Sequence, residues 1–592
     1  MCSTRRLMYK ILLSLLLLLI AFPAKADLEI TIYMMRSNTD ATTATTTYDY
    51  VDSYQISSTN STDFVQAVNT VTGLSLVQSG PTGQNVSLFM RGGDSNHTLV
   101  TMNGLPIGDA STTNGLHDFG NNFMGTVTGI EIIKNPSGAL VGPNSIGGVV
   151  NFITGNVYEN SLTVGIGSHD SQKFNLKTHT TINNTTLGLM VDGKQSDGIS
   201  VVPSGSEADG YTANSISVNT LTILDNTARL KTNVMLNRNN SDLDTTQDDL
   251  DYTANNNSNI YQMHYDHNNT SVAYGYSTYD RTYTNGTEID QYNSDRHNIL
   301  ATHTFVLDSI DLVPGIEYEH KSAEFNNRGS YNSSVDAWEY NTAYFLNSNW
   351  RASDSLIISS GIRQDTLEDY DDYTTLRFGG AYTVNHNLKL RTNWSNSVRT
   401  PTLYEKYGAD SYGYKGNPSL DVERGETIDL GVTLGALDVV YYTTDINNTI
   451  TYANSSYANV AGTSTRQGVE ANYNYSLTDE WTHNLGAHWS RAEDANQTTL
   501  LRRPKWTLSQ TLAKTTDTYS TRIVHNYRGD HIDLDSVTYA RKDMSEINTV
   551  DLHHQVGPVT ASVRNMLDEQ YEQPDGYNQT GRTFEISYKV KF

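Results

Sequence analysis

Cysteine is almost absent: the single one, Cys2, lies in a leading stretch with the marks of a segment removed on secretion. The mature chain therefore has no disulfide framework and no thiolate metal site. Basic residues are also scarce, 40 Lys and Arg against 65 Asp and Glu for a net charge of −25, which argues against a nucleic-acid partner. Beyond the leader, no apolar run is long enough to cross a bilayer as a helix. There is no Gly-x-Ser-x-Gly elbow and no His-Glu-x-x-His pair, so nothing in the sequence points to an enzyme. These absences leave a β-barrel open, because barrel strands pair their backbones laterally and face lipid with only every second residue.

At the N-terminus Arg5, Arg6 and Lys10 precede an apolar run, Ile11 to Phe22, followed by Ala24-Lys25-Ala26. That is a signal peptide, residues 1–26, with a small-x-small cleavage site, and the mature protein is expected to begin near Asp27. Its removal takes away four cations and no acid, leaving −29. Acidic loops on such a chain suit divalent cations.

From residue 157 to 592 the pattern has a period of two. Phe584, Ile586, Tyr588, Val590 and Phe592 alternate with Glu585, Ser587, Lys589 and Lys591, as a strand between lipid and a wet lumen requires. Leu187, Leu189 and Val191 alternate likewise, as do Ala228, Leu230, Thr232, Val234 and Leu236. A soluble β-sandwich alternates too, but the signal peptide, the terminal aromatic residue and the number of such segments favour the membrane. At roughly 20 residues per strand with its share of connections, 157–592 predicts about 22 antiparallel strands. A lumen that wide needs a plug. Residues 46–156 read as a compact α+β unit able to supply it. Ser61-Thr62-Asp63 caps a short helix carrying Phe64, Val65, Val68 and Val71, and short strands follow at 74–77, 87–90, 98–102, 129–133 and 149–153.

Several motifs then stand in a telling order. In the plug they are Leu88-Phe89-Met90-Arg91-Gly92, Asn103-Gly104, Ile130 to Lys134 and Ser145 to Ile153. In the barrel they are Val398-Arg399-Thr400-Pro401, Leu403-Tyr404-Glu405, Gly416 to Leu420 with Glu423, Gln467 to Glu470, and Asn565 to Asp568. Together they resemble the TonB-dependent outer-membrane receptors over nearly the whole mature chain. The resemblance implies a monomeric receptor in outer-membrane lipid that takes up a scarce nutrient using energy delivered by TonB. The TonB-interacting segment would be 27–45, with Glu29, Ile30, Thr31, Ile32 and Tyr33 as the strand that adds to TonB. Gly147 and Gly148 are expected to let the plug pass close to the barrel wall, and Arg91 to meet a barrel carboxylate.

Within that family the likeness is greatest to the cobalamin-taking branch, carried by Gly83-Gln84, Ser95 to Val100, Leu500 to Arg503 and Gly576 to Arg582. It implies ligand contacts from the plug loops 79–85 and 107–118, with Ser79, Thr82, Gln84, Asn85, Asp109, Thr112 and Asn114 as candidates. It also implies calcium held by Glu207, Asp209, Asp242 and Asp251, although Ser200 stands where an aspartate is expected. No histidine occurs in 402–415, which disfavours haem. A ferric siderophore remains the alternative cargo, and a passive porin-like channel the alternative of another class.

Overall fold

The structure is a computed structural model that describes residues 44–121, 124–155, 157–245, 251–328, 333–368, 371–409 and 413–592. The expected signal peptide and the expected TonB-binding strand lie outside these residues.

Among the described residues, twenty-two antiparallel strands form one closed barrel from Ser161 to Lys591. Each pairs with its sequence neighbours, and the last strand, Thr583–Lys591, pairs with the first, Ser161–Gly167, with Ile586 opposite Ile166. Closure leaves no unpaired edge in the bilayer. The alternation read from the sequence sorts the faces. Phe584, Ile586, Tyr588 and Val590 point outward and are 41 to 56% exposed, whereas Ser587 between them is buried toward the lumen. The connections at the end where Phe592 lies are short, such as 183–184, 268–269, 386–387 and 557–558. Those at the other end are long, notably 200–208, 400–422, 529–546 and 565–582. Short turns face the periplasm and long loops the exterior in barrels of this kind.

The plug fills the lumen. Its five-stranded sheet is built from Tyr48–Asp52, Val127–Ile133, Gly148–Thr154, Thr98–Met102 and Leu105–Pro106 in that order, with a separate hairpin of Leu74–Gln78 and Val86–Met90. Asn103 and Gly104, with φ of 50° and 82°, make the two-residue turn between Thr98–Met102 and Leu105–Pro106, the left-handed pair that such a hairpin requires. Phe64 stacks on Phe119 at its centre, 4.4 Å apart, and meets Phe152 edge to face. Barrel residues Met235 and Ile260 join this core, so plug and wall share one apolar cluster.

Three differences from the sequence reading follow from local physics. The helix capped by Asp63 is only Phe64–Val68, and Val71 lies beyond it, packed on the core from the turn that leads to Gly73. A second helix, Ser53–Ser58, is capped by a reciprocal pair, Asp52 and Gln55, a Asp-x-x-Gln variant of the capping box that the apolar pattern does not reveal. Finally, Gly148 does not admit the barrel wall. A Cβ there would strike the Ile133 carbonyl and Met90 of the plug itself, and one at Gly147 would crowd His97. Other glycines make close approaches between plug and wall, among them Gly138, against Asn396 and Ser397, and the barrel's Gly425, which receives Ile146.

Candidate functional site

Strands of 15 to 21 residues, such as Asp209–Ile223 and Ser333–Ser353, exceed the span a bilayer needs, so their outer ends project above the membrane. There they meet the plug apices. Gln84, although buried, donates from Nε2 to the Asp242 carbonyl at 2.7 Å, and Ser241 Oγ donates to the Gly83 carbonyl at 2.9 Å. The 79–85 loop is thus clasped to the wall. Ser79 closes that loop by donating its N–H to the Asn85 carbonyl, while the Asn85 side chain is exposed. Thr82 lies on the far side, in a cleft with Leu76, Arg528 and Gln573.

In the second apical loop Asp109 lies 2.7 Å from Arg281 and accepts from Ser294 and Ser111, both at 2.6 Å. Burial is the largest influence and works to raise its carboxyl, but Arg281 together with the hydrogen bonds from Ser111 and Ser294 outweighs it, and the pKa is lowered. Thr112 donates to the Asp109 carbonyl, and Asn114 accepts from Asn96 through its backbone oxygen and from the Leu116 N–H through its side chain. Asn85, Asp109 and Thr112 line one recess. Its barrel side is formed by Asn237, Asn239, Asn256, Ser258, Tyr279 and Arg281. Sequence reasoning missed these barrel residues, yet the parity that marks Val234 and Leu236 as outward already marks Asn237 and Asn239 as inward.

The acidic residues gather at the outer rim, though not all the expected ones. Ligand oxygens of Glu207, Asp209 and Asp244 lie within 4.8 Å of one another. Asp242 stands beside them, accepting from the Gly210 N–H at 3.2 Å, whereas Asp251 is exposed and outside the cluster. Asp244 takes its place because the strand Ala228–Asp242 ends two residues earlier and the chain turns back over the rim. Burial, together with Asp244 and Asp242, pushes the Asp209 carboxyl up to about 7.

Deeper, ions tie plug to barrel. Arg91 forks onto Glu470 at 2.9 Å and reaches Asp429 at 3.1 Å, as the sequence implied. Lys134 meets Asp49 at 2.6 Å and Glu470 at 3.5 Å. His97 contacts Glu423 at 2.6 Å, and Glu423 in turn holds Arg399 at 2.8 Å. Asp94 is gripped by Arg466 and Arg503.

A closed outer-membrane barrel whose lumen is filled by an ion-paired plug, with loops gathered over the plug's apex, defines a gated receptor rather than an open pore. Residues 170–553 match the family model described as TonB dependent receptor-like, beta-barrel, and residues 38–149 match the TonB-dependent Receptor Plug Domain. The chain belongs to the TonB-dependent receptor family and is an outer-membrane protein. It is 24% identical to the vitamin B12 transporter BtuB of Vibrio cholerae serotype O1, over 91% of each chain. Among solved structures, the siderophore receptor PiuA from Acinetobacter baumannii superposes with a TM-score of 0.77 at 15% identity, covering 96% of this chain and 99% of that one. A mutant of the ferric enterobactin receptor PfeA from Pseudomonas aeruginosa, in complex with enterobactin, does so with the same score and identity over 92% and 99%. These structural likenesses concern the fold.

Proposed function

We propose that this receptor imports a corrinoid of the cobalamin class. The observation that carries the reading is the chemistry of the apical recess, where side-chain amides and hydroxyls are the main polar groups, set among apolar side chains such as Met102, Ile107 and Phe152. Among the described residues its one guanidinium, Arg281, is neutralised by Asp109. Ferric catecholates are anionic and need uncompensated cations, whereas a corrin presents neutral carboxamides that pair with Asn and Ser. The end-to-end similarity to a vitamin B12 transporter supports the same cargo. The recess holds about 90 Å³, well below the roughly 300–1,000 Å³ of an enclosing ligand pocket. A corrinoid therefore rests on its mouth, under the outer loops.

Calcium belongs to this reading. Two oxygens on opposite sides of one calcium ion stand about 5 Å apart, so the spacing of Glu207, Asp209 and Asp244 fits the ion. Bound there, calcium would relieve the mutual repulsion of these acids and hold 200–208 against 243–245. On the periplasmic side Glu29 to Tyr33 would add as a strand to TonB.

Equilibrium binding of the purified receptor to cyanocobalamin, with and without calcium, tests the proposal. Binding that tightens with calcium is expected, with Asp244→Asn losing the calcium effect. No binding at micromolar ligand, or preference for ferric enterobactin, overturns the cargo.

A further inference from the structure

A cavity of about 540 Å³ lies between the plug and the periplasmic half of the barrel wall, and no part of the function described so far uses it. Five lysines line it, Lys173, Lys177, Lys194, Lys589 and Lys591, with Asp192 the carboxylate in its lining and Glu159 and Glu585 beside it. In a chain of net charge −25, five cations against three carboxylates are a local excess unexpected for a passive filler. Most of these charges are occupied. Lys589 and Lys591 meet Glu159 at 2.5 and 2.6 Å, Lys173 pairs with Glu585, and Lys194 donates to the Thr62 carbonyl at 3.4 Å. Asp192 accepts from Asn175 at 2.6 Å. The Lys177 ammonium has Asp192 and Glu159 as its neighbouring opposite charges, but it donates no hydrogen bond and makes no direct ion pair among the described residues.

The cavity adjoins the apical recess: Val127 borders both, so a ligand displaced from the recess past the strand Val127–Ile133 would meet the lysine-lined cleft next. The plug face on this side is built from the short helix Ser53–Ser58 and residues 60–62. The ion pairs of Arg91, Asp94 and His97 lie elsewhere, against Asp429, Glu470, Arg466, Arg503 and Glu423.

We propose that this cleft is an inward anion site, centred on Lys177, which takes the phosphodiester of a nucleotide-bearing corrinoid as it moves from apex to periplasm. A compact ammonium with three donors and no resident hydrogen-bond acceptor suits a phosphate oxygen. The proposal rests on the corrinoid reading above. It differs from that reading in site and in step: Lys177 acts on passage, not on capture.

The test compares initial uptake rates of cyanocobalamin and of dicyanocobinamide, which lacks the phosphodiester, in cells carrying the full receptor with TonB. Receptor number and affinity are taken from equilibrium binding on the same cells. Lys177→Met is expected to slow cyanocobalamin uptake per receptor by about fivefold, to leave its Kd unchanged and to spare dicyanocobinamide uptake, with Lys177→Arg restoring the rate. Equal slowing of both ligands, or no slowing of either, overturns the anion site while the cargo assignment stands. Failure of the unaltered receptor to bind cyanocobalamin overturns the cargo assignment and the cleft's occupant with it.

Discussion

Arg91 shows what a single side chain can and cannot reveal before the chain is folded. Its setting in Leu-Phe-Met-Arg-Gly implies a charge carried into an apolar plug, which demands a carboxylate. Its main partner, Glu470, is 379 residues away, and only the docking of plug in barrel brings the two together. Asp429 joins them, and the guanidinium carbon lies 4.5 Å from the centre of the Tyr442 ring. Arg91→Met would leave the buried Asp429 without its cation and Glu470 with only the longer contact to Lys134, and is expected to destabilise plug docking by about 3–5 kcal/mol. Denaturant-dependent protease susceptibility of the plug, in detergent-solubilised receptor, measures this. Arg91→Lys should recover only part, since an ammonium cannot fork onto Glu470. Asp94 supplies a pH dependence. Burial raises its carboxyl, but Arg503 and Arg466 prevail and hold it at about 2, below an ordinary aspartate near 3.9. A depressed carboxylate stabilises fully above its unfolded value and loses that contribution as pH falls through the folded one. Plug docking should therefore weaken between about pH 4 and pH 2, and Asp94→Asn should remove that acid-dependent component. The Asp94 side chain is 42% exposed, so solvent screening keeps the effect modest.

At the scale of elements, the strands were the most legible part. A period of two is a property of the backbone alone, and it identified Thr583–Lys591 and its outward residues without reference to any neighbour. Lipid exposure of Ile586 makes a direct prediction: Ile586→Arg should cost about 2–4 kcal/mol near the bilayer midplane. Loss of the heat-modifiable gel shift of the folded barrel reads this out. Ser587→Asn, on the lumenal face of the same strand, should be tolerated by comparison. The plug helices were less legible. Five and six residues are too few for helical periodicity to show, and their caps carry most of the signal. In the long loop at 400–422, Thr402 and Glu405 form a reciprocal cap for the helix Leu403–Tyr407. There Glu405 also binds Arg399, so a residue that looks like local capping is part of the rim's ion network.

For the whole molecule, plug and barrel explain each other. Deleting 44–154 should leave a barrel that assembles but conducts small solutes without TonB and no longer concentrates cyanocobalamin. Planar-bilayer conductance and cell uptake, measured together, check both halves of this expectation. An unchanged uptake would mean that the plug is not the gate. The barrel with its approximate strand number, the existence of a plug and with them the outer-membrane location were all determined by sequence, because each follows from short-range regularities: alternation, motif order and chain length. The site was decided by tertiary structure. Asp244 rather than Asp251 joins Glu207 and Asp209, Gln84 is spent on clasping the wall, and Arg281 arrives from the barrel to neutralise Asp109. These are contacts between segments tens to hundreds of residues apart, and their pairing depends on the register of a closed barrel around a particular plug, which no local pattern encodes.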